Sequence, residues 1–271
     1  MRLVLFGPGY TGTRIATAAE AQGAVVIRVG RTADPIEVRG ALAAATHVLS
    51  TAPPDGDTDP ILTAYGREIA RVPWIGYLSS TGVYGDTGGA WVDESAALVG
   101  RRSPRNSADL AWQGIGARIF RLPGIYGPGR SILDRIAGGQ AHRVALPDQV
   151  FSRVHVDDIT AAVLAAAERG DPGIYNIADD LPAPQNALVE FACTALGQPL
   201  PPLLGLEEAQ LSPAARAFYA ENRRVANGKT KRELGWRLLY PTYLAGLRAL
   251  IATTSPASTS RPPAAASTDQ T

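Results

Sequence analysis

Residues 1–12 read Met1-Arg2-Leu3-Val4-Leu5-Phe6-Gly7-Pro8-Gly9-Tyr10-Thr11-Gly12. A short apolar run enters a G-x-G-x-x-G turn, and helical periodicity follows from Tyr10 to Ala21. Strand, glycine turn and helix in this order open a dinucleotide-binding βαβ unit. Gly7 permits the tight turn out of the strand, Gly9 lets backbone approach a pyrophosphate, and Gly12 lets the helix pack close to the sheet. Tyr10 and Thr11 complete the turn, where the free N–H groups of the helix start face phosphate. The bland alternative is a structural strand–helix turn, since glycine turns are common; the ordered context favours a nucleotide site.

The rest of the chain repeats this alternation. Strand-like runs fall at Leu3–Phe6, Ala24–Val29, His47–Ser50, Trp74–Ser79, Ala117–Leu122, Val150–His155 and Ile174–Ile177. Helical periodicity fits Tyr10–Ala21, Pro35–Ala43, Asp59–Arg71, Ser107–Gly114, Ser131–Ala137, Ile159–Arg169 and Pro184–Leu196. Short apolar strands between helices predict an α/β fold, a doubly wound parallel sheet of Rossmann type covered on both faces. The rhythm ends near Leu181. Helical stretches at Glu207–Gln210, Ala214–Glu221, Lys229–Leu234 and Tyr243–Ile251 predict a small, mostly helical C-terminal lobe at the mouth of the sheet. The expected organisation is a dinucleotide-binding domain over 1–180, a substrate-side lobe over 181–251 that does not fold alone, and a disordered Ala/Ser/Thr/Pro-rich tail over 252–271.

Composition narrows the class. The chain has 271 residues, 45% of them apolar and 19% charged, with a formal net charge of +1. That balance is ordinary for a globular protein and argues against capture of nucleic acid or a membrane surface. The single cysteine, Cys193, cannot form an internal disulfide and fits a reducing, cytoplasmic setting. No apolar run reaches membrane-spanning length, and because the first residues already read as a strand, no signal peptide is expected. His47, His142 and His155 are scattered, so no metal site is expected. Nucleophile elbows and Walker-type loops are absent from the sequence.

The end of the second strand reads Val26-Ile27-Arg28-Val29-Gly30-Arg31-Thr32. An NAD site of this type ends its second strand in Asp or Glu, which binds the ribose 2′-OH. Here no carboxylate appears before Asp34, and Arg31 stands near the expected position. A guanidinium holds a 2′-phosphate bidentately, so the spacing favours NADP over NAD, with Arg31 as ligand and Arg28 as a solvated surface residue.

Several further segments carry a resemblance. They are Leu78-Ser79-Ser80-Thr81-Gly82-Val83-Tyr84-Gly85, Arg121-Leu122-Pro123-Gly124-Ile125-Tyr126-Gly127-Pro128-Gly129, Arg153-Val154-His155-Val156-Asp157-Asp158, Tyr175-Asn176-Ile177-Ala178, and Leu234-Gly235-Trp236 with Tyr240-Pro241-Thr242 beyond it. Together with the glycine turn they resemble the extended short-chain dehydrogenase/reductase superfamily, the nucleoside-diphosphate-sugar epimerase and dehydratase type, over nearly the whole chain to about Ile251. The G-x-G-Y-x-G turn and short length are most similar to an atypical, epimerase-like branch; ordinary extended members carry G-x-x-G-x-x-G.

The resemblance implies acid–base work by a Tyr and a Lys four residues later. This sequence departs from that pattern. Its two lysines are Lys229 and Lys231, and the residues four before them are Val225 and Asn227, so no Tyr-x-x-x-Lys exists anywhere. The region that should hold the pair, Arg101–Trp112, contains neither type. Ser80 matches the family serine that hydrogen-bonds the reacting oxygen. Tyr84 and Tyr126 are candidate proton donors, against the alternative that both pack the cleft wall. Arg105 is a candidate for the missing positive charge. Asp157 or Asp158 is expected to cap the helix after His155.

On the substrate side, Arg130 and Arg153 are candidates for an anionic group, against surface ion pairing. Trp91 is expected near the same cleft. The reading is an NADP(H)-binding oxidoreductase or epimerase-like protein acting on a hydroxyl or carbonyl of a small polar substrate, for which the resemblance implies a nucleotide-sugar. The alternative is a catalytically silent NADP(H)-binding module that senses redox state or engages a partner. The resemblance also admits a homodimer through helices Asp59–Arg71 and Ser107–Gly114.

Overall fold

In the computed structural model, which describes residues 1–56, 58–211 and 213–254, six parallel strands form the central sheet. In chain order they are Arg2–Phe6, Val25–Val29, His47–Ser50, Trp74–Ser80, Arg118–Leu122 and Gly173–Asn176. In space the first strand lies between the second and third; the fourth, fifth and sixth follow outward from the third. Register is continuous, with Leu3 opposite Val26 on one side and His47 on the other. The order of strands reverses at the first strand, so its C-terminal end is the topological switch point, where doubly wound sheets bind ligands.

Both faces of the sheet are covered, as alternating side chains show. Leu3, Leu5, Leu49, Phe120 and Leu122 pack under helices Tyr10–Ala21 and Val156–Arg169 through Ile15, Ala16, Ile159 and Val163. Val4, Phe6, Val48, Ile75, Tyr77 and Ile119 pack on the opposite layer, against Val38, Leu42, Tyr65, Ile69 and Trp112. Those residues come from helices Pro35–Ala43, Pro60–Ile69 and Ser103–Gly114. Asp59 ties this layer together. It caps its helix by accepting the N–H groups of Ile61 and Leu62, both at 3.0 Å, while its other oxygen accepts the Trp112 indole N–H at 2.8 Å.

Three expectations need correction. Only Arg153–His155 of the expected run Val150–His155 is a strand, and it pairs with Gly124–Tyr126 in a separate two-stranded ladder. The edge of the central sheet that it would have joined is taken by Gly173–Asn176, opposite Arg118–Arg121. The next helix begins at Val156 and its cap is His155, whose Nδ1 accepts the Asp157 N–H at 3.2 Å; neither aspartate caps it. Glu207–Gln210 is turn rather than helix.

The C-terminal lobe is stitched to the sheet domain at several points. Leu203–Leu204 pairs with Arg143–Val144, and Arg224–Val225 with Trp91–Val92. Tyr243, Leu247 and Leu250 of the last helix share a core with Tyr126, Ile132 and Leu133. Leu234 and Trp236 sit in the core beneath the sheet itself, so that stretch serves the sheet more than the lobe. The last helix continues to Thr254; the rest of the expected tail lies outside the described residues.

Candidate functional site

A cleft of about 1490 Å³ runs across the C-terminal ends of the strands, from the glycine turn to the lobe. Gly7, Gly9, Tyr10, Thr11, Gly12 and Arg31 all line it, as do Ser80 and Arg130. The turn is built as the sequence requires. Gly7 has φ +75°, and a Cβ there would meet Ala52 N at 3.0 Å. The Thr51 hydroxyl donates to the Gly7 carbonyl and fixes the turn against the third strand. A Cβ on Gly12 would meet Gly7 O at 2.9 Å and Thr51 Oγ1 at 3.0 Å, whereas one on Gly9 would find its nearest protein atom 4.0 Å away. Space at Gly9 therefore opens to the cleft. Gly9 is the cap of helix Tyr10–Ala21 and no side chain caps it, so an uncapped helix start with unoffset N–H groups faces the cavity, the arrangement that suits a pyrophosphate.

The electrostatics point the same way. Six arginines line the cleft, Arg31, Arg101, Arg102, Arg105, Arg130 and Arg223, against the two acids Asp55 and Glu221. Arg28 is committed elsewhere: Nη1 and Nη2 grip the Glu20 carboxylate at 2.6 and 2.7 Å. Arg31 has no side-chain hydrogen bond or ion pair among the described residues and is free for an anion. The Arg130 guanidinium lies 5.6 Å from the centre of the Tyr10 ring, whose hydroxyl donates to Pro128 O at 3.1 Å.

Other expected site residues are not brought to the cleft. Tyr84 is buried; its hydroxyl donates to Asn176 Oδ1 at 2.7 Å, and the Arg121 guanidinium stacks 4.8 Å from its ring centre. Burial pushes its phenol upward, against acid–base use. Tyr126 is buried beneath the last helix, with its hydroxyl unpartnered among the described residues and its acidity suppressed first by burial, then by Asp179 and Asp158. Arg153 is likewise internal. It donates to Phe151 O (2.9 Å), Ala183 O (2.8 Å) and Gln185 Oε1 (3.0 Å), and burial pulls it down to about 10. None of the three lines the cavity. Trp91 is 59% exposed and pairs through its backbone with Arg224, away from the cleft.

What sequence reasoning missed is most of the far wall, of which it named only Arg105. Arg101, Arg102 and Arg105 stand around the start of helix Ser103–Gly114, and Arg223 and Phe218 arrive from the lobe. The Arg101-Arg102-x-x-Arg105 run in the region that lacks Tyr and Lys was the available signal. Arg105 Nη1 donates to the Tyr77 hydroxyl at 3.2 Å. No group of three or more His, Cys, Asp or Glu residues that would hold a metal ion is present among the described residues, and no described helix is long and apolar enough to cross a membrane.

Behind the cleft lies a buried acidic pair with a pH consequence. Burial raises Asp179 to about 7 and Asp158 to about 6. Both titrate near 4 in an unfolded chain, so the folded state holds extra protons between about pH 4 and 7, and their contribution to stability falls as pH rises through that window. Burial lowers His155, which acts in the opposite sense. The comparison of variants isolates the aspartate: Asp179→Asn keeps an acceptor for the Leu181 N–H and should flatten the decline in unfolding free energy between pH 5 and 7.5. Urea titrations across that range check it, and an unchanged slope in the variant contradicts it.

No family model matches the chain. A functionally unknown conserved protein from Silicibacter pomeroyi is 41% identical over 93% of this chain and 98% of its own, with a TM-score of 0.85. A 3-diazoavenalumate denitrifying reductase from a Streptomyces species is 32% identical over 154 residues, 52% of this chain. That match spans about half the length of the Streptomyces protein, 47%. Among more distant structures, a human epimerase family protein with NADPH gives a TM-score of 0.78 at 16% identity, covering 93% of this chain and 99% of that one. The Bacillus anthracis dTDP-glucose 4,6-dehydratase in complex with NAD gives 0.77 at 16%, covering 93% and 96%. These likenesses show that the chain shares its doubly wound fold with the human epimerase family protein and the dTDP-glucose 4,6-dehydratase. Within that fold, the chain belongs to one family with the Silicibacter pomeroyi protein.

Proposed function

We propose that this chain binds NADP(H) in the cleft and acts as an oxidoreductase or epimerase-like enzyme on a hydroxyl or carbonyl of a small polar substrate. The observation that carries the reading is the uncapped, unobstructed turn at Gly9 in a cleft where arginines outnumber acids by six to two. Gly7, Gly9 and Gly12 with the first turn of the helix would hold the pyrophosphate, and Arg31 the 2′-phosphate. When bound, the cofactor supplies or accepts hydride. Ser80 is the one expected proton-handling residue that lines the cleft; its Oγ accepts the Gly82 N–H at 3.1 Å, leaving its O–H to bind the reacting oxygen. Arg105 places positive charge at the same wall. The reductase name of the Streptomyces relative and the NADPH bound to the human neighbour support this reading.

Calorimetric titration with NADPH and NADH tests it. NADPH should bind more tightly, and Arg31→Ala should weaken NADPH by about ten- to a hundredfold, the worth of a charge-assisted bond, while leaving NADH unchanged. Equal affinities for the two nucleotides, untouched by Arg31→Ala, would remove the NADP assignment.

A second reading has its own observation. Neither Tyr84 nor Tyr126 presents its hydroxyl to the cleft, and no Tyr-x-x-x-Lys exists in the chain. A catalytically silent NADP(H)-binding module would look the same. Turnover of NADPH against a panel of carbonyl substrates separates the two: binding without turnover across the panel selects the module.

A further inference from the structure

Past Ser80 the cleft enters a second region whose wall is assembled from segments distant in sequence. Gly82 donates to Ser80, and the Gly85 carbonyl accepts from Arg223. The Arg223 backbone bridges to Phe151, and the Phe151 ring stacks on Phe218 with centres 4.1 Å apart and planes 13° from parallel. Beside Phe218, the Ala217 carbonyl accepts Arg101 Nη2 at 2.9 Å. These contacts bring an aromatic face and the Arg101 and Arg223 guanidinium groups to the cleft, which Arg102 and Arg105 also line.

The charge there is not balanced. Glu221 accepts Arg101 at 2.9 Å and Arg223 at 2.7 Å. Burial favours its neutral form, but those two bonds outweigh it and hold the carboxyl below its ordinary range, so it is ionised and occupied. Arg102 has no side-chain partner among the described residues, and Arg105 donates only to the neutral Tyr77 hydroxyl. Two guanidinium groups are thus left without a counter-charge. Phe218, which lines the same cleft, is 45% exposed although it is backed by Phe151, an apolar surface that a flat apolar body would cover. Val150 and Val225 complete this end.

We propose that this end of the cleft binds a planar aromatic carboxylate, with the carboxylate on Arg102 and Arg105 and the ring against Phe218. The assignment rests on the reading that the dinucleotide fills the glycine-turn end. A planar aromatic carboxylate is the smallest ligand that satisfies both features at once; a nucleoside diphosphate, whose phosphates would take the arginines and whose base would lie on Phe218, is the rival that the test separates from it. Guanidinium pairs recognise carboxylate through charge-assisted hydrogen bonds, which a neutral amide of the same shape forfeits.

The test is calorimetry of the full chain, with and without saturating NADPH, against cinnamate, cinnamamide and UDP-glucose. Cinnamate should bind at least about tenfold more tightly than cinnamamide. Arg102→Ala combined with Arg105→Ala should erase that preference, and Phe218→Ala should weaken both ligands alike. Equal binding of acid and amide, a preference that survives the double arginine variant, or binding of UDP-glucose in place of cinnamate would each overturn the proposal. NADPH affinity is read in the same titrations. Loss of NADPH binding with the cinnamate preference intact strikes the cofactor reading alone, whereas NADPH binding without the preference strikes the aromatic acid alone.

Discussion

Asp109→Ala should cost about 3–5 kcal/mol of folding stability, the penalty for leaving a buried charge without its partner. Asp109 and Arg121 are fully buried and form a forked ion pair, Nη2 to Oδ1 at 2.8 Å and Nε to Oδ2 at 3.1 Å. The remaining acceptor capacity of the carboxylate is used by Gln113 Nε2 at 2.7 Å and by the Ser79 hydroxyl. Removing the aspartate strands the guanidinium in a region with no water contact, and it also orphans Ser79. Replacing both partners together, as Asp109→Leu with Arg121→Met, should cost less than Asp109→Ala alone, because no charge is then left unpaired. At about 2–4 °C per kcal/mol for a chain of this class, the single variant should melt on the order of 10 °C lower. Thermal and urea unfolding of the three proteins measures this. A single variant as stable as the parent would mean that water reaches the pair.

That ion pair shows where reading from sequence stops. The order of strands and helices was legible because apolar periodicity is local: Tyr10–Ala21 and Pro35–Ala43 fall where the pattern places them. The glycine turn was legible because its conformational demands are tied to residue type. What Tyr84 does was not, since its partners Arg121 and Asn176 come from other strands, and Asn176 in turn accepts through its carbonyl from Thr230 of the C-terminal segment. A Val-Tyr-Gly after a strand reads identically whether the ring turns toward the cleft or toward the lobe. Arg153 failed for the same reason: the carbonyls that absorb it, Phe151 and Ala183, meet only when an isolated bridge forms between those residues. Arg223 and Phe218 were invisible as cleft residues because they reach the cleft through long-range contacts, the pairing of Arg224–Val225 with Trp91–Val92 and the contacts of both residues with Phe151. The glycine-turn end of the candidate site is encoded in contiguous residues. The lobe end of the cleft depends on pairings between segments distant in sequence, to which spacing rules are blind.

Gly9→Ala is the substitution that separates ligand binding from folding most cleanly. At φ −80° and ψ −162° the backbone of Gly9 is one that alanine adopts without strain. Its added methyl would lie 4.0 Å from the nearest protein atom, so the melting temperature should stay close to that of the parent. The same methyl projects into the space through which a pyrophosphate must approach the first turn of the helix. NADPH affinity should therefore fall by between about ten- and a hundredfold, the effect of forcing a group into an occupied contact. Gly12→Ala provides the opposite signature. Its methyl meets Gly7 O at 2.9 Å and Thr51 Oγ1 at 3.0 Å, inside the protein, so stability should drop by about 1–3 kcal/mol along with binding. Unfolding curves and NADPH titrations on both variants decide the matter. If Gly9→Ala binds NADPH as the parent does, no phosphate approaches that turn, and the glycines serve only to bring helix, strand and Thr51 together.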